Sequence, residues 1–244
     1  MRIDALALQM RPRAPHEAAD LGVRLCQAKA REIYRCYFVA AIPLVVLALS
    51  LYEIAAWLPM AFLWCSKPWL DRTVLFVLSR AAFGQSSTVG DLWRAQRAVW
   101  WRGFLLTWTW RRLSPYRSFT QPAYQLEGHP FGALRKRVTQ LRRRHSGAAA
   151  LLTGAFSCAE SGLWLAVLSM AYWVAPDNQS FDLSAIFAGE SNPFAAPFGS
   201  VAYALVVLFL EPFYVAAGFG MYLNRRAELE AWDIEQEFRR AFAG

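Results

Sequence analysis

Apolar residues gather into two long runs, 147–175 (GAAALLTGAFSCAESGLWLAVLSMAYWVA) and 200–223 (SVAYALVVLFLEPFYVAAGFGMYL). Each exceeds the ~20 residues, at ~1.5 Å rise per residue, that carry a helix across a hydrocarbon core, and each has Trp or Tyr near an end, as interfacial anchors do. Between them, 176–199 holds Asp177, Asp182 and Glu190 and no Lys or Arg. The flanks on the other side are basic, GALRKRVTQLRRRH before the first run and NRR after the second. Charge asymmetry therefore predicts a transmembrane hairpin with both ends in the cytoplasm and 176–199 outside.

A third apolar stretch, 37–66, is interrupted by Pro43, Glu53 and Pro59 and flanked by basic residues at both ends. One long tilted crossing fits it; a short or re-entrant hairpin turning near Tyr52 and Glu53 accounts better for the flanks. Residues 67–110 are too charged to span and too rich in Trp for open water, which predicts interfacial amphipathic helices, with Trp93, Trp100, Trp101, Trp108 and Trp110 interleaved with Arg94, Arg97 and Arg102. Packing of those rings on the bundle fits them equally.

The pattern thus predicts one all-α, polytopic membrane bundle. Its parts are a cytoplasmic N-terminal segment (1–36), the membrane hairpin (37–66), the interfacial helices (67–110), a basic cytoplasmic loop (111–146), two transmembrane helices (147–175 and 200–223) joined by the external loop, and a cytoplasmic helix (224–244). Composition agrees: 56% hydrophobic residues, 11 Trp and a positive mean hydropathy in 244 residues are too apolar for an ordinary soluble domain. The N-terminus has no continuous apolar core of a cleavable signal, so insertion is expected to use the internal spans.

A net charge of +8 would suit nucleic acid, but its placement decides otherwise. Residues 111–145 carry nine Lys and Arg against one acid, Glu127, between membrane segments and without an RNA-binding aromatic pattern. Anionic lipid headgroups or an acidic partner fit Arg135, Lys136, Arg137, Arg142, Arg143 and Arg144; a topology signal without any ligand accounts for them too. Inside this region SPYRSFTQPAYQLEG reads as a loop by its Pro, Ser and Gly content. At the C-terminus, Ala227, Ala231, Ile234, Phe238, Ala241 and Phe242 share one helical face. Trp232 lies off it beside Glu228, Glu235 and Arg239, a candidate partner contact.

Catalytic patterns are missing from the sequence. His16, His129 and His145 stand in no ligand spacing, Cys26, Cys36, Cys65 and Cys158 form no CxxC, and GxSxG, P-loop and GxGxxG motifs are absent. No enzyme activity, cofactor or metal is expected. The sharp feature is a pair of intramembrane carboxylates, Glu160 and Glu211, each near the middle of its span. Antiparallel packing would bring them to similar depth, with Tyr203 and Tyr214 on the Glu211 face and Ser157 and Ser161 on the Glu160 face. Such a seam serves either as a hydrogen-bonded packing device or as a proton, cation or substrate site. Glu211 precedes Pro212, which removes the helical donor for the Leu208 carbonyl and predicts a kink satisfied by polar neighbours.

The segments KPWLDRTVLFVLSRAAFG, RRLSPYRSF, RPRAPHEAADLG and EPFYVAAGFGMYLNRRAELEAWDIEQEFRR resemble a family of uncharacterised bacterial inner-membrane proteins. Its members are encoded beside a MoxR-type AAA ATPase, a von Willebrand A-type protein, a stage-II-sporulation-M-like membrane protein and a transglutaminase-associated membrane protein. They are distantly similar to the membrane domain found beside glycerophosphodiester phosphodiesterases. The resemblance implies an inner-membrane location and genomic company, and no catalytic residues. The expectation is a non-enzymatic membrane subunit or scaffold with membrane or cytoplasmic protein partners, AAA ATPase components among them. The alternative is a small transporter or lipid-handling protein built on the Glu160/Glu211 seam.

Overall fold

A computed structural model describes residues 13–101, 104, 112–128, 130–174 and 195–230, and every regular element among them is helical. The chain starts with α1 (Pro15–Ala28), which takes Pro at its first turn, where the missing N–H costs nothing, and Glu17 against the positive helix end. After an offset at Lys29 comes α2 (Ala30–Ser50). A tight turn at Leu51–Glu53 leads to α3 (Leu58–Ala82), which packs back against α2.

Helix α3 ends cleanly. Gly84, at φ 70, takes the left-handed conformation that glycine adopts without strain, and the Gly84 and Gln85 amides donate to the Ala81 and Arg80 carbonyls. A short helix, α4 (Val89–Arg94), is held by a Thr88/Asp91 capping box. A π-helical turn at Arg97–Trp101 follows, its Trp100 indole donating to Thr73 Oγ1 at 2.9 Å. Then come α5 (Arg117–Leu126), α6 (Phe131–Arg142), α7 (Ser146–Val174) and α8 (Ala195–Glu230).

Helix α8 is the axis. The N-terminal helices run antiparallel along it: Arg13 N donates to Asn224 Oδ1 at 2.9 Å, and the Tyr34 hydroxyl donates to the Phe209 carbonyl at 2.8 Å, beside the turn that Pro212 opens. The crossing is so close that a Cβ on Gly22 would lie 2.0 Å from the Ala216 carbonyl oxygen, and one on Gly220 2.2 Å from that of Ala18. Residues 15–36 are therefore packed into the bundle.

Two expectations are corrected. Chain 67–82 is the buried second half of α3, where interfacial helices were predicted; Leu70, Val74, Leu75 and Leu78 join Tyr37, Phe119 and Tyr222 in the main core. Residues 117–126 are a helix where a loop was predicted. Pro122 is tolerated because α5 is short and tied sideways, its Gln121 and Gln125 amides donating at 2.9 Å to the Pro68 and Arg72 carbonyls of α3. Of the tryptophans, Trp100 is buried against Trp69 and Trp93, while Trp93 and Trp101 are exposed; Trp108, Trp110 and Arg102 lie outside the described residues.

Among the described residues, three helical stretches are long and apolar enough to cross a membrane: Ala30–Glu53, Ser146–Met170 and Pro197–Glu230. They differ in what covers them. Only 6% of the apolar window in α7 is buried, against 67% in α8. Exposed large apolar side chains on α8 run from Phe198 through Val201 and Leu205 to Phe209 and then stop until Leu229; between, α1, α3 and α5 enclose the helix. On the neighbouring hairpin the exposed apolar stretch covers Phe38 to Leu47, Ile54, Trp57 and Trp64. The chain thus reads as a membrane protein with an apolar exterior at one end and a polar-surfaced helical cap at the other.

Candidate functional site

The transition between those two zones falls at residues 64–67 of α3 and 209–211 of α8, and there the bundle holds a row of buried charges. Lys67 Nζ bridges two carboxylates, pairing with Glu160 Oε2 and lying 2.9 Å from Glu211 Oε2. Glu211 Oε1 accepts from the Arg117 guanidinium, whose Nε lies 3.1 Å from Asp71 Oδ2. Asp71, Arg117, Glu211 and Lys67 are 5% exposed or less, and Glu160, at the end of the row, is 17% exposed. Burying a charge in a medium of low polarity costs several kcal/mol unless an opposite charge meets it, so the alternation in sign from Asp71 to Glu160 is what makes the row tolerable.

Each member comes from a different part of the chain. Lys67 and Asp71 are one turn apart on α3, so one face of that helix presents both. Arg117 opens α5, Glu211 sits on α8 and Glu160 at the middle of α7. The row carries one more carboxylate than cations. A third cation, Arg112, lies nearby with its guanidinium carbon 3.6 Å from the centre of the Trp64 ring, and no carboxylate among the described residues is within ion-pair distance of it. Burial, and next the like charge of Arg117, hold the Arg112 pKa below its ordinary value.

A cavity of about 420 Å³ opens beside this row. Trp64, Lys67, Arg112, Ser157, Glu160 and Tyr203 form the part of its wall that carries the chemistry. Tyr203 is buried facing Glu160, and the Tyr214 hydroxyl, 3.0 Å from Thr153 Oγ1, accepts from the Ser118 amide. Trp64 is 43% exposed, and Ser157 and Ser161, about a turn apart on α7, are exposed and make no side-chain hydrogen bond among the described residues. These three residues frame the mouth. The volume falls within the roughly 300–1,000 Å³ usual for small-ligand sites.

All six residues singled out as the polar seam, Glu160, Glu211, Tyr203, Tyr214, Ser157 and Ser161, line this one cavity. The carboxylates do not touch as the seam pictured; Lys67 stands between them. Sequence reasoning missed Lys67, Asp71, Arg112 and Arg117. The one usable signal was the four-residue spacing of Lys67 and Asp71 in an apolar stretch; Arg112 and Arg117 lay in a region read only as basic flank and loop.

The other candidate residues are spread elsewhere. On α6, Leu134, Val138 and Leu141 face the bundle while Arg135 and Lys136 are exposed, as are Arg143 and Arg144 just beyond the helix; Arg142, also exposed, lays its guanidinium over the Tyr116 ring, 4.0 Å from its centre. Arg137 turns inward instead, to Glu127 at 3.1 Å and to Glu230. Glu228 is also engaged internally, by Arg225 at 2.7 Å and Asn224 at 2.9 Å, because it follows them by three and four residues on α8. Trp232, Glu235 and Arg239 lie outside the described residues. Among the described residues no three His, Cys, Asp or Glu side chains are grouped as metal ligands. Comparison with protein-family models, with curated proteins and with solved structures returns no match.

Proposed function

We propose that this chain is a multi-pass protein of the bacterial cytoplasmic membrane that handles a small amphipathic ligand, lipid or lipid-like, in the cavity beside Lys67, Glu160 and Glu211. One observation carries the reading: the cavity opens between Trp64 and the exposed Ser157 and Ser161 at the level where exposed apolar surface gives way to buried charge. A charge row serving packing alone would be closed over by side chains, since interiors are packed with few voids. This row borders open space. Charge asymmetry supports an orientation with both termini and 111–146 in the cytoplasm and 176–199 outside.

The test is access. With Cys158 and Cys65 replaced by Ala, Ser161→Cys in native membrane vesicles is expected to react with a small, charged thiol reagent that enters through water. A cysteine at Leu163, exposed on α7 away from the cavity, is expected to react only with a membrane-soluble reagent. Equal behaviour of the two positions would remove the cavity from consideration.

A second reading, a non-enzymatic scaffold in an assembly of the MoxR ATPase type, is favoured by the outward basic face of α6. Such a face is available to anionic headgroups or to an acidic protein. Replacing Arg135, Lys136, Arg142, Arg143 and Arg144 together by Gln should abolish recovery of protein partners from native membranes if the scaffold reading holds. Unchanged recovery would sink it.

A further inference from the structure

Among the described residues, Arg112 has no ion partner in contact with it. Its guanidinium is partly buried and its Nε makes no hydrogen bond, it lies flat enough on Trp64 for a cation–π contact, and no described carboxylate is near enough to pair with it. The surplus carboxylate of the row balances the Arg112 charge only at a distance, which leaves the guanidinium donors open, and Arg is the side chain whose planar fork best matches a phosphate. The four other ionic groups at the cavity, Lys67, Arg117, Glu160 and Glu211, are already committed to one another, and the like charge on Arg117 opposes the longer-range attraction of Glu211 and Asp71 for Arg112.

The position of Arg112 narrows the class of anion. It belongs to a cavity whose rim is Trp64, an exposed ring at the edge of the apolar exterior, and Ser157 and Ser161 on α7, a helix left almost entirely uncovered. Trp at such an edge marks the headgroup level of a bilayer. Apolar surface continues from the mouth along α7 at Leu165, one turn beyond Ser161 on the same face. A ligand occupying this place would meet a cation and two hydroxyl donors with its head and apolar helix surface with its tail.

We propose that the cavity seats the phosphodiester headgroup of a membrane phospholipid, with Arg112 as its counter-ion, Ser157 and Ser161 as hydroxyl donors and the acyl chains lying on the exposed face of α7. The assignment rests on the ligand-handling reading above and specifies its ligand. Charge-assisted hydrogen bonds from a guanidinium to phosphate make up the recognition, and loss of one such contact corresponds to about a ten- to hundredfold loss of affinity.

The full-length protein, carrying Ala61→Cys on the cavity wall and with Cys65 and Cys158 replaced by Ala, is purified in a neutral detergent. Modification by a small thiol reagent is followed while short-chain phosphatidylglycerol, the diacylglycerol with the same chains, or inorganic phosphate is added. Phosphatidylglycerol is expected to slow modification at about ten- to hundredfold lower concentration in the Arg112 protein than in Arg112→Met, with Arg112→Lys between them. Without lipid, Arg112→Met is expected to unfold at the same temperature as its parent or higher, and to lose the rise in unfolding temperature that phosphatidylglycerol gives. Equal protection by diacylglycerol in both proteins would overturn the phosphodiester assignment and leave the ligand-handling reading standing. Protection by inorganic phosphate as strong as by phosphatidylglycerol would retain the Arg112 anion site and overturn the phospholipid as its source. A reactive cysteine that no additive protects would overturn both proposals. If Arg112→Met is unstable with and without lipid alike, Arg112 is a packing clamp on Trp64 and the proposal fails.

Discussion

Lys67 Nζ lies 2.9 Å from Glu211 Oε2, and the same ammonium also holds the Glu160 carboxylate. One flexible cation thus joins three helices, α3, α7 and α8, at a point where α7 has little other cover. The row from Asp71 to Glu160 has an inner, fully enclosed end and an outer end at the cavity, so its members are not equivalent.

Removing the bridge strands Glu160 and leaves Glu211 with Arg117 alone. Lys67→Met is expected to destabilise the protein by about 3–5 kcal/mol in detergent thermal or chemical unfolding, the cost of an uncompensated buried charge. Glu211→Gln belongs in the same class because it leaves Lys67 and Arg117 facing a neutral amide, while Glu160→Gln, which loses one cation contact at a more exposed site, costs less. The double variant Lys67→Met/Glu160→Gln should be more stable than the two single effects added together. Additive losses would mean that the bridge does not form.

The helix crossings make a paired prediction. Gly22→Ala drives a methyl group into the Ala216 backbone and should cost about 1–3 kcal/mol by overpacking, whereas Gly154→Ala on α7 meets nothing within 4 Å and should be neutral or stabilising by up to about 1 kcal/mol, the helix-propensity gain. Unfolding midpoints of the two variants against the parent test the contrast. Similar shifts for both would deny the close approach of α1 and α8.

Thiol chemistry separates the two ends of the molecule. Cys26 is fully buried on α1 and burial pushes its thiol up to about 12, while Cys158 is exposed on α7. At pH 8, a membrane-permeable maleimide should label Cys158 within minutes and leave Cys26 unmodified until the protein is denatured, as read by mass spectrometry. Rapid native labelling of Cys26 would place α1 outside the bundle.

His145 confers a modest acid sensitivity. Burial holds its pKa below the ordinary 6.5; the nearby Glu228, with its oxygen 3.6 Å from Nε2, opposes the shift and Arg225 adds to it. The unfolded chain therefore takes up the proton first as pH falls. Stability contributed by the neutral ring is present above about pH 6.5 and declines as pH drops from there through the folded pKa. His145→Gln should flatten that part of the stability profile between pH 7 and 5. An unchanged slope would assign it to other groups.

The all-helical class and the apolar stretches able to cross a bilayer were determined by the sequence, since a run of some twenty apolar residues has few other ways to satisfy its backbone away from water. Glu160 and Glu211 were visible for the same reason, as charges where apolar residues dominate. The hidden half of the cavity was not. Lys67 and Asp71 look like an ordinary polar flank until α3 is seen to continue through them, and the Pro and Ser around Arg117 spell a turn until Gln121 and Gln125 bind α5 to α3. Local composition sets whether a residue favours helix or lipid, because those preferences act over a few neighbours. Which charges meet is set by packing across residues 67, 117, 160 and 211. Only tertiary structure decided that Arg112, anonymous among nine basic residues, faces the cavity with no carboxylate in contact among the described residues.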